Sequence, residues 1–281
     1  MMPSILEMID KGKELLAFLS EKREHRRQMA ELSVLYGTEM ADILGSLHDT
    51  YPILTREGHR WPIAVWNNVG DERDDVDTIL GSLNEEFSGD ISLANYRYLN
   101  RLRKGGKREL FNGGTFVMEN VIVSDRGLKV NCGLGEYFDA IATCDSLDAE
   151  LVHAFAVNKP STVDELLDAC PGRRRFCEHC HDPAFSGSGR SAAIGISALI
   201  AYRHNNRYLA LLRARSSRVA AHPNRHHVIP SGMFTAETEN CQDEFSVRHS
   251  FYREYQEELF EDRDLGHPSG QLTHDWFYSR Q

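Results

Sequence analysis

The sequence predicts an α+β chain: a mostly helical N-terminal region carrying one β-hairpin, then a strand-rich C-terminal region closed by a helix. Three observations lead there. Apolar residues recur at helical spacing through the first 47 positions. Two β-rich runs between residues 115 and 132 are joined by a tetrapeptide suited to a tight turn. Near the end, residues 253–262 (Arg-Glu-Tyr-Gln-Glu-Glu-Leu-Phe-Glu-Asp) read as an amphipathic helix directly after further strand pairs.

The first helix is expected over 4–47. Ser4 after Pro3 can cap it, and Leu6, Ile9, Leu16 and Leu19 make its apolar stripe. Leu32, Leu35, Met40, Ile43, Leu44 and Leu47 continue the stripe past Gly37, while Lys22, Arg23, Arg26 and Arg27 form a solvated basic face. Such a helix can pack on its own domain or on a second copy of the chain, so a homo-oligomer is one expectation. Residues 51–89 hold Pro52, Trp61, Pro62 and Trp66 and a shorter helical stretch at 74–87. Six cations between 93 and 111 surround Gly105-Gly106; without P-loop spacing they read as a surface loop rather than a phosphate cradle.

Thr115–Val123 and Leu128–Cys132 form the hairpin, turned at Ser124-Asp-Arg-Gly127. Thr143-Cys-Asp-Ser146 is expected to cap a helix running to Val157. A capping signature at Pro160-Ser-Thr-Val-Asp-Glu165 opens another, ending near Cys170-Pro171. The polar, glycine-rich stretch 182–190 is the best linker in the chain. The expected organisation is therefore an N-terminal α+β domain at 1–181, a linker at 182–190 and a second domain at 191–281.

The chain has 281 residues, 41% hydrophobic and 26% charged, as a soluble globular protein does. No apolar run reaches the roughly eighteen residues of a membrane span. Charges at Glu7, Asp10, Lys11, Lys13 and Glu14 exclude a secretory signal and point to the cytoplasm. A net charge of −10 disfavours duplex nucleic acid but leaves room for a nucleotide met by metal and local arginines. Six unevenly spaced cysteines suggest reduced thiols. Cys170, Cys177, Cys180 and His181 are numerous enough for a structural zinc, against which stand buried, idle thiols.

In the C-terminal helix, Glu254, Glu257, Glu258 and Glu261 share one face, at about 100° per residue. Tyr252, Tyr255 and Leu259 make a separate apolar face. Like charges at these spacings repel by roughly 0.2–0.5 kcal/mol per pair. Arg253 is the nearest counter-charge. A solvated acidic face is one reading; a divalent cation with all-oxygen coordination, Mg²⁺ or Mn²⁺, is the other.

The order of these segments resembles the Nudix hydrolase family, whose pattern is G-x5-E-x7-R-E-U-x-E-E-x-G-U with U aliphatic. Arg253, Glu254, Tyr255, Gln256, Glu257 and Glu258 match its R-E-U-x-E-E core, with Tyr in the aliphatic slot. The runs 195–201 and 207–213 look like the family's opening hairpin, and His227-Val-Ile-Pro-Ser-Gly232 like the Pro-Gly-Gly turn before the box. The resemblance covers residues 191–262. Eleven residues separate Gly232 from Glu244, the nearest first Glu, and eight separate Glu244 from Arg253; Phe260 stands where the family has Gly.

The resemblance implies an α/β/α sandwich and a metal-dependent hydrolase acting on a nucleoside diphosphate-linked small molecule. It implies Glu254, Glu257 and Glu258 as ligands of Mg²⁺ or Mn²⁺, Glu254 and Glu258 as catalytic carboxylates, and Arg253 as the residue holding a carboxylate. Arg213 and Arg215 could contact phosphate; strand-end surface charges explain them equally. His222, His226 and His227 have no standard ligand spacing and read as loop histidines. Only nineteen residues follow Asp262, so the sandwich is expected to be incomplete at its C-terminal end or completed from the N-terminal region or another subunit. Two other functions stay open: a catalytically weak, nucleotide-sensing relative, and an interaction protein with an exposed acidic helix.

Overall fold

Ser124 and Gly127, the ends of the expected turn, are paired across an antiparallel hairpin. The Ser124 hydroxyl donates to the Gly127 carbonyl at 3.2 Å, and Gly127 adopts φ +113°, a conformation that favours glycine. On either side run β4 (Gly114–Ser124) and β5 (Gly127–Glu136), paired antiparallel from Gly114↔Glu136 to Ser124↔Gly127. The computed structural model describes residues 37–47, 53–64, 76–84, 91–105, 110–124, 127–214, 226–237 and 240–259. Outside them lie the expected helix before Gly37, its basic face, Trp66, Arg215, His222, Glu261 and everything after Leu259.

The chain forms two units, each built from separated segments: 1–66, 92–110 and 141–184 in one; 67–91, 111–140 and 185–281 in the other. This differs from the contiguous 1–181 and 191–281 division. The 115–132 hairpin is the reason, because its strands recruit partners from the C-terminal half. The expected linker is also tied to that hairpin. Val121 N–H donates to Phe185 O at 2.8 Å, Gly187 N–H to Glu119 O at 2.8 Å, and Ser186 bridges Asn120. Gly187 lies so close to the Met118 carbonyl that any β-carbon there would overlap it.

The first unit holds α1 (Gly37–Leu47), the β1–β2 hairpin (Ile53–Arg56, His59–Ala64) and α2 (Tyr96–Gly105). A helix stands where Arg97, Arg101, Arg103 and Lys104 were expected in a loop. Three more helices follow: α4 (Ser146–Val157), α5 (Val163–Ala169) and α6 (Pro171–His179). Ile43, Leu151, Ala154, Phe155, Leu166 and Cys170 form their core. The α5 capping signature works as predicted: Glu165 N–H donates to Thr162 Oγ1 at 3.2 Å. In return the Glu165 carboxylate accepts from Ser161 N–H and Oγ at 2.8 and 2.9 Å. The α4 cap differs. No side chain caps that helix; a π turn at Ile141–Asp145 leads into it, and Ser146 Oγ donates back to Ala142 O at 2.7 Å, while α3 (Tyr137–Ala140) belongs to the second unit.

In the second unit a five-stranded sheet runs β13-β4-β5-β3, with β6 (Ala192–Ala193) also on β4. Strand β3 (Leu80–Asn84) pairs parallel with β5, and β13 (Thr235–Ala236) antiparallel with β4. A helix was expected at 74–87; one 3-10 turn, Val76–Ile79, and β3 occupy the described part of it. Leu80 and Leu83 supply the reason, packing with Leu134, Ile194 and Phe245 around buried Phe116 and Phe234. The Phe116, Phe234 and Phe245 rings lie 4.4–5.8 Å apart, contacts worth roughly 0.5–1.5 kcal/mol each beyond area burial. Smaller pairs complete the unit: β7 (Gly195–Ser197) with β12 (Ser231–Met233), β8 (Ala201–His204) with β9 (Arg207–Ala210), and β10 (Leu212–Ala214) with β11 (His226–Val228). Helices α7 (Cys241–Glu244) and α8 (Val247–Leu259) follow. The fold is mixed α+β. No helix among the described residues is long and apolar enough to cross a membrane.

Candidate functional site

The α8 helix carries the acidic face, and its first turn is fixed by a residue from far upstream. Ser246 serves as the cap: His249 N–H donates to its Oγ at 3.0 Å, and the hydroxyl donates to Asp77 Oδ2 at 2.7 Å. The other Asp77 oxygen accepts from Arg248 N–H at 3.2 Å. A carboxylate here satisfies orphan amides and complements the positive end of the helix dipole.

One turn on, His249, Ser250 and Arg253 are buried. The Arg253 guanidinium is anchored on β13, donating to Thr235 Oγ1 at 2.7 Å and to Thr235 O at 3.4 Å. Its Nη2 also stands 3.6 Å from Glu254 Oε1. Arg253 thus docks the helix on β13 and lies beside the Glu254 carboxylate. Glu254 lies against β12, its carboxylate filling the space a β-carbon on Gly232 would need. Burial pushes the Glu254 carboxyl up to about 7, the Arg253 guanidinium opposes the rise, and the charges of Glu257 and Glu258 add to it.

Glu258 joins α8 to two strands. Its Oε1 accepts from Arg213 Nη1 of β10 at 3.1 Å, and its Oε2 from the Ser231 amide of β12 at 3.0 Å. Glu257 is half-buried between these neighbours on the helix. Glu244, the first glutamate of the expanded box, is buried at the end of α7 and accepts from Glu237 N–H at 2.6 Å. It braces the loop leading to the helix.

The structure therefore brings Arg213, Arg253, Glu254 and Glu258 together around the β12 backbone. As a donor set, the carboxylates suit a hard divalent cation. Among the described residues, however, no group of three or more His, Cys, Asp or Glu converges in metal-ligand geometry. Both Glu258 oxygens are engaged instead by Arg213 and Ser231.

The proposed zinc ligands are likewise not gathered. Cys170 is in the core, its thiol directed at the Glu150 carbonyl at 3.9 Å. Burial pushes it up to about 11, helped by Glu150 and opposed by Arg173. Cys177 sits within α6, raised chiefly by burial, and Cys180 is buried at the helix end. They behave as core thiols. His227 Nδ1 lies 2.7 Å from the Val228 carbonyl, a local contact in β11.

Sequence reasoning missed Asp77 and Thr235. Ser231 and Gly232 stood in the turn motif, but their contacts with Glu258 and Glu254 were not foreseen. No protein-family model matches the chain, and no curated protein matches it either.

Proposed function

We propose that the second unit is a Nudix-type α/β/α sandwich that hydrolyses a phosphoanhydride in a nucleoside diphosphate-linked small molecule. The observation that carries this reading is Glu254, a carboxyl beside two further glutamates on one helix and pressed onto the glycine that ends the preceding turn. To hold Mg²⁺ or Mn²⁺ at Glu254, Glu257 and Glu258, Glu258 would have to release Arg213 and Ser231; the cation when bound would lower the pKa of water and shield phosphate charge. The protein's own groups divide the remaining work. Glu254 is the candidate carboxylate to take the proton from the attacking water. Arg253 keeps that carboxylate on β12, and Arg213, with its side chain about half exposed at the strand edge, can turn to a substrate phosphate.

Release of phosphate from nucleoside diphosphate derivatives, with and without Mg²⁺ or Mn²⁺, tests this. Metal-dependent turnover that E258Q abolishes supports it; turnover unchanged in E258Q overturns it. The Arg213–Glu258 pair favours a second reading, a nucleotide sensor whose carboxylates stay engaged. Nucleotide-induced thermal stabilisation without turnover would select the sensor.

A further inference from the structure

We infer that the β8–β9 hairpin is a docking surface for a single-stranded polynucleotide. Every residue of both strands is exposed, with Tyr202 49% and Tyr208 79% accessible. Cross-strand partners share a face. Tyr202↔Leu209 and His204↔Arg207 lie on one side, Arg203↔Tyr208 and Ala201↔Ala210 on the other. Each face therefore carries one tyrosine and one arginine. A two-stranded hairpin with both faces in water is marginal, yet this one has a well-formed tip: Asn205 and Asn206 adopt φ 46° and 63°, as a type I′ turn requires, and Arg203 donates to the Asn206 side chain. Its rings and cations stand in solvent rather than in the core of the unit.

Charge identifies the occupant. From Ser191 to Ala236 the sequence has six arginines (203, 207, 213, 215, 218 and 225) and no Asp or Glu, although the whole chain carries −10. At physiological salt, fields fade within about 8 Å, so a ligand at the finger meets Arg203 and Arg207 on its own strands rather than the net charge. A polyanion fits. Among polyanions, a single-stranded polynucleotide offers unpaired bases to stack on tyrosine beside phosphates for arginine, at every step along its length. An acidic peptide would satisfy the arginines and leave the rings bare. A duplex keeps its bases stacked within itself.

Fluorescence anisotropy of the full chain with labelled oligo-U RNA and oligo-dT DNA of about twelve nucleotides tests this. Binding should weaken as salt rises from about 50 to about 200 mM, and R203Q/R207Q should lower the slope of log K against log salt by about 1.4. Y202A and Y208A should each weaken binding about tenfold. Y208F should retain it, whereas Y208L, which keeps apolar area without a ring, should not. Comparing the RNA and DNA arms shows whether the 2′-hydroxyl contributes. Absence of binding to both oligonucleotides, binding indifferent to these variants, or equal competition by poly-glutamate would overturn the proposal. Because binding is read without turnover, its failure leaves the hydrolase reading standing.

Discussion

The Glu254 carboxylate occupies the space that a β-carbon on Gly232 would fill. The turn glycine and the helix glutamate are thus one structural unit, and each predicts what happens to the other. In G232A the new methyl meets the end of a flexible side chain rather than backbone, so the carboxylate should swing away while the fold holds. Stability should change by less than about 1 kcal/mol in urea titration. The thermal shift produced by Mn²⁺ in wild type should shrink or vanish; an unchanged shift would place the cation elsewhere.

Stability should depend on pH through Glu254. Its folded-state value of about 7, against 4.5 for an ordinary glutamate, means the folded protein keeps a proton that the unfolded chain has released between those values. Stability therefore falls as pH rises from about 4.5 to about 7. Urea midpoints measured across this window should decline in wild type, and E254Q should flatten the decline.

Glu258 should matter for turnover more than for binding. Gln keeps the size of Glu but not its charge, so Ser231 retains an acceptor while Arg213 loses its ion pair. If the proposed hydrolysis occurs, E258Q should lower kcat by roughly a thousandfold with a much smaller effect on KM. Near-normal turnover would remove this helix from the chemistry.

Asp77 should behave as a distant cap. Removing its carboxylate in D77A leaves the Ser246 hydroxyl and the Arg248 amide without the acceptors they now have. The expected loss is about 0.5–2 kcal/mol, the range for helix caps, seen as a lower urea midpoint. D77N, which keeps an acceptor, should recover part of it.

The cysteines should prove inert. Cys132 is pushed up to about 12 by burial, with the Glu119 charge adding, and Cys170 to about 11. Both should react with a thiol reagent slowly in the native protein and rapidly in urea. A zinc chelator should leave the melting temperature unchanged. A large fall would reinstate a site built from Cys170, Cys177, Cys180 and His181.

What the sequence made legible was local. The Thr162–Glu165 cap, the Ser124–Gly127 turn and the shared face of Glu254 and Glu258 each depend on residues within a few positions, whose spacing fixes the geometry. The errors were non-local. Nothing in Leu80-Gly-Ser-Leu-Asn84 announces a strand, because its partner is β5, and Ser82 N–H is held by Asn131 Oδ1 at 2.9 Å. The stretch 182–190 has a linker's composition, but its Gly187 serves close approach to β4. Glu258 could be placed on the helix face, yet its direction depends on Arg213 and Ser231, which the helix pattern does not encode.

The pairing of Asp77 with Ser246 across 169 residues also has a consequence for synthesis. At about 5–20 residues per second, a nascent chain exposes Asp77 roughly 8 to 34 seconds before its partner exists. During that interval Leu80 and Leu83 lack the Phe234 and Phe245 rings that cover them. The second unit cannot complete this core until residues 234–245 have left the ribosome.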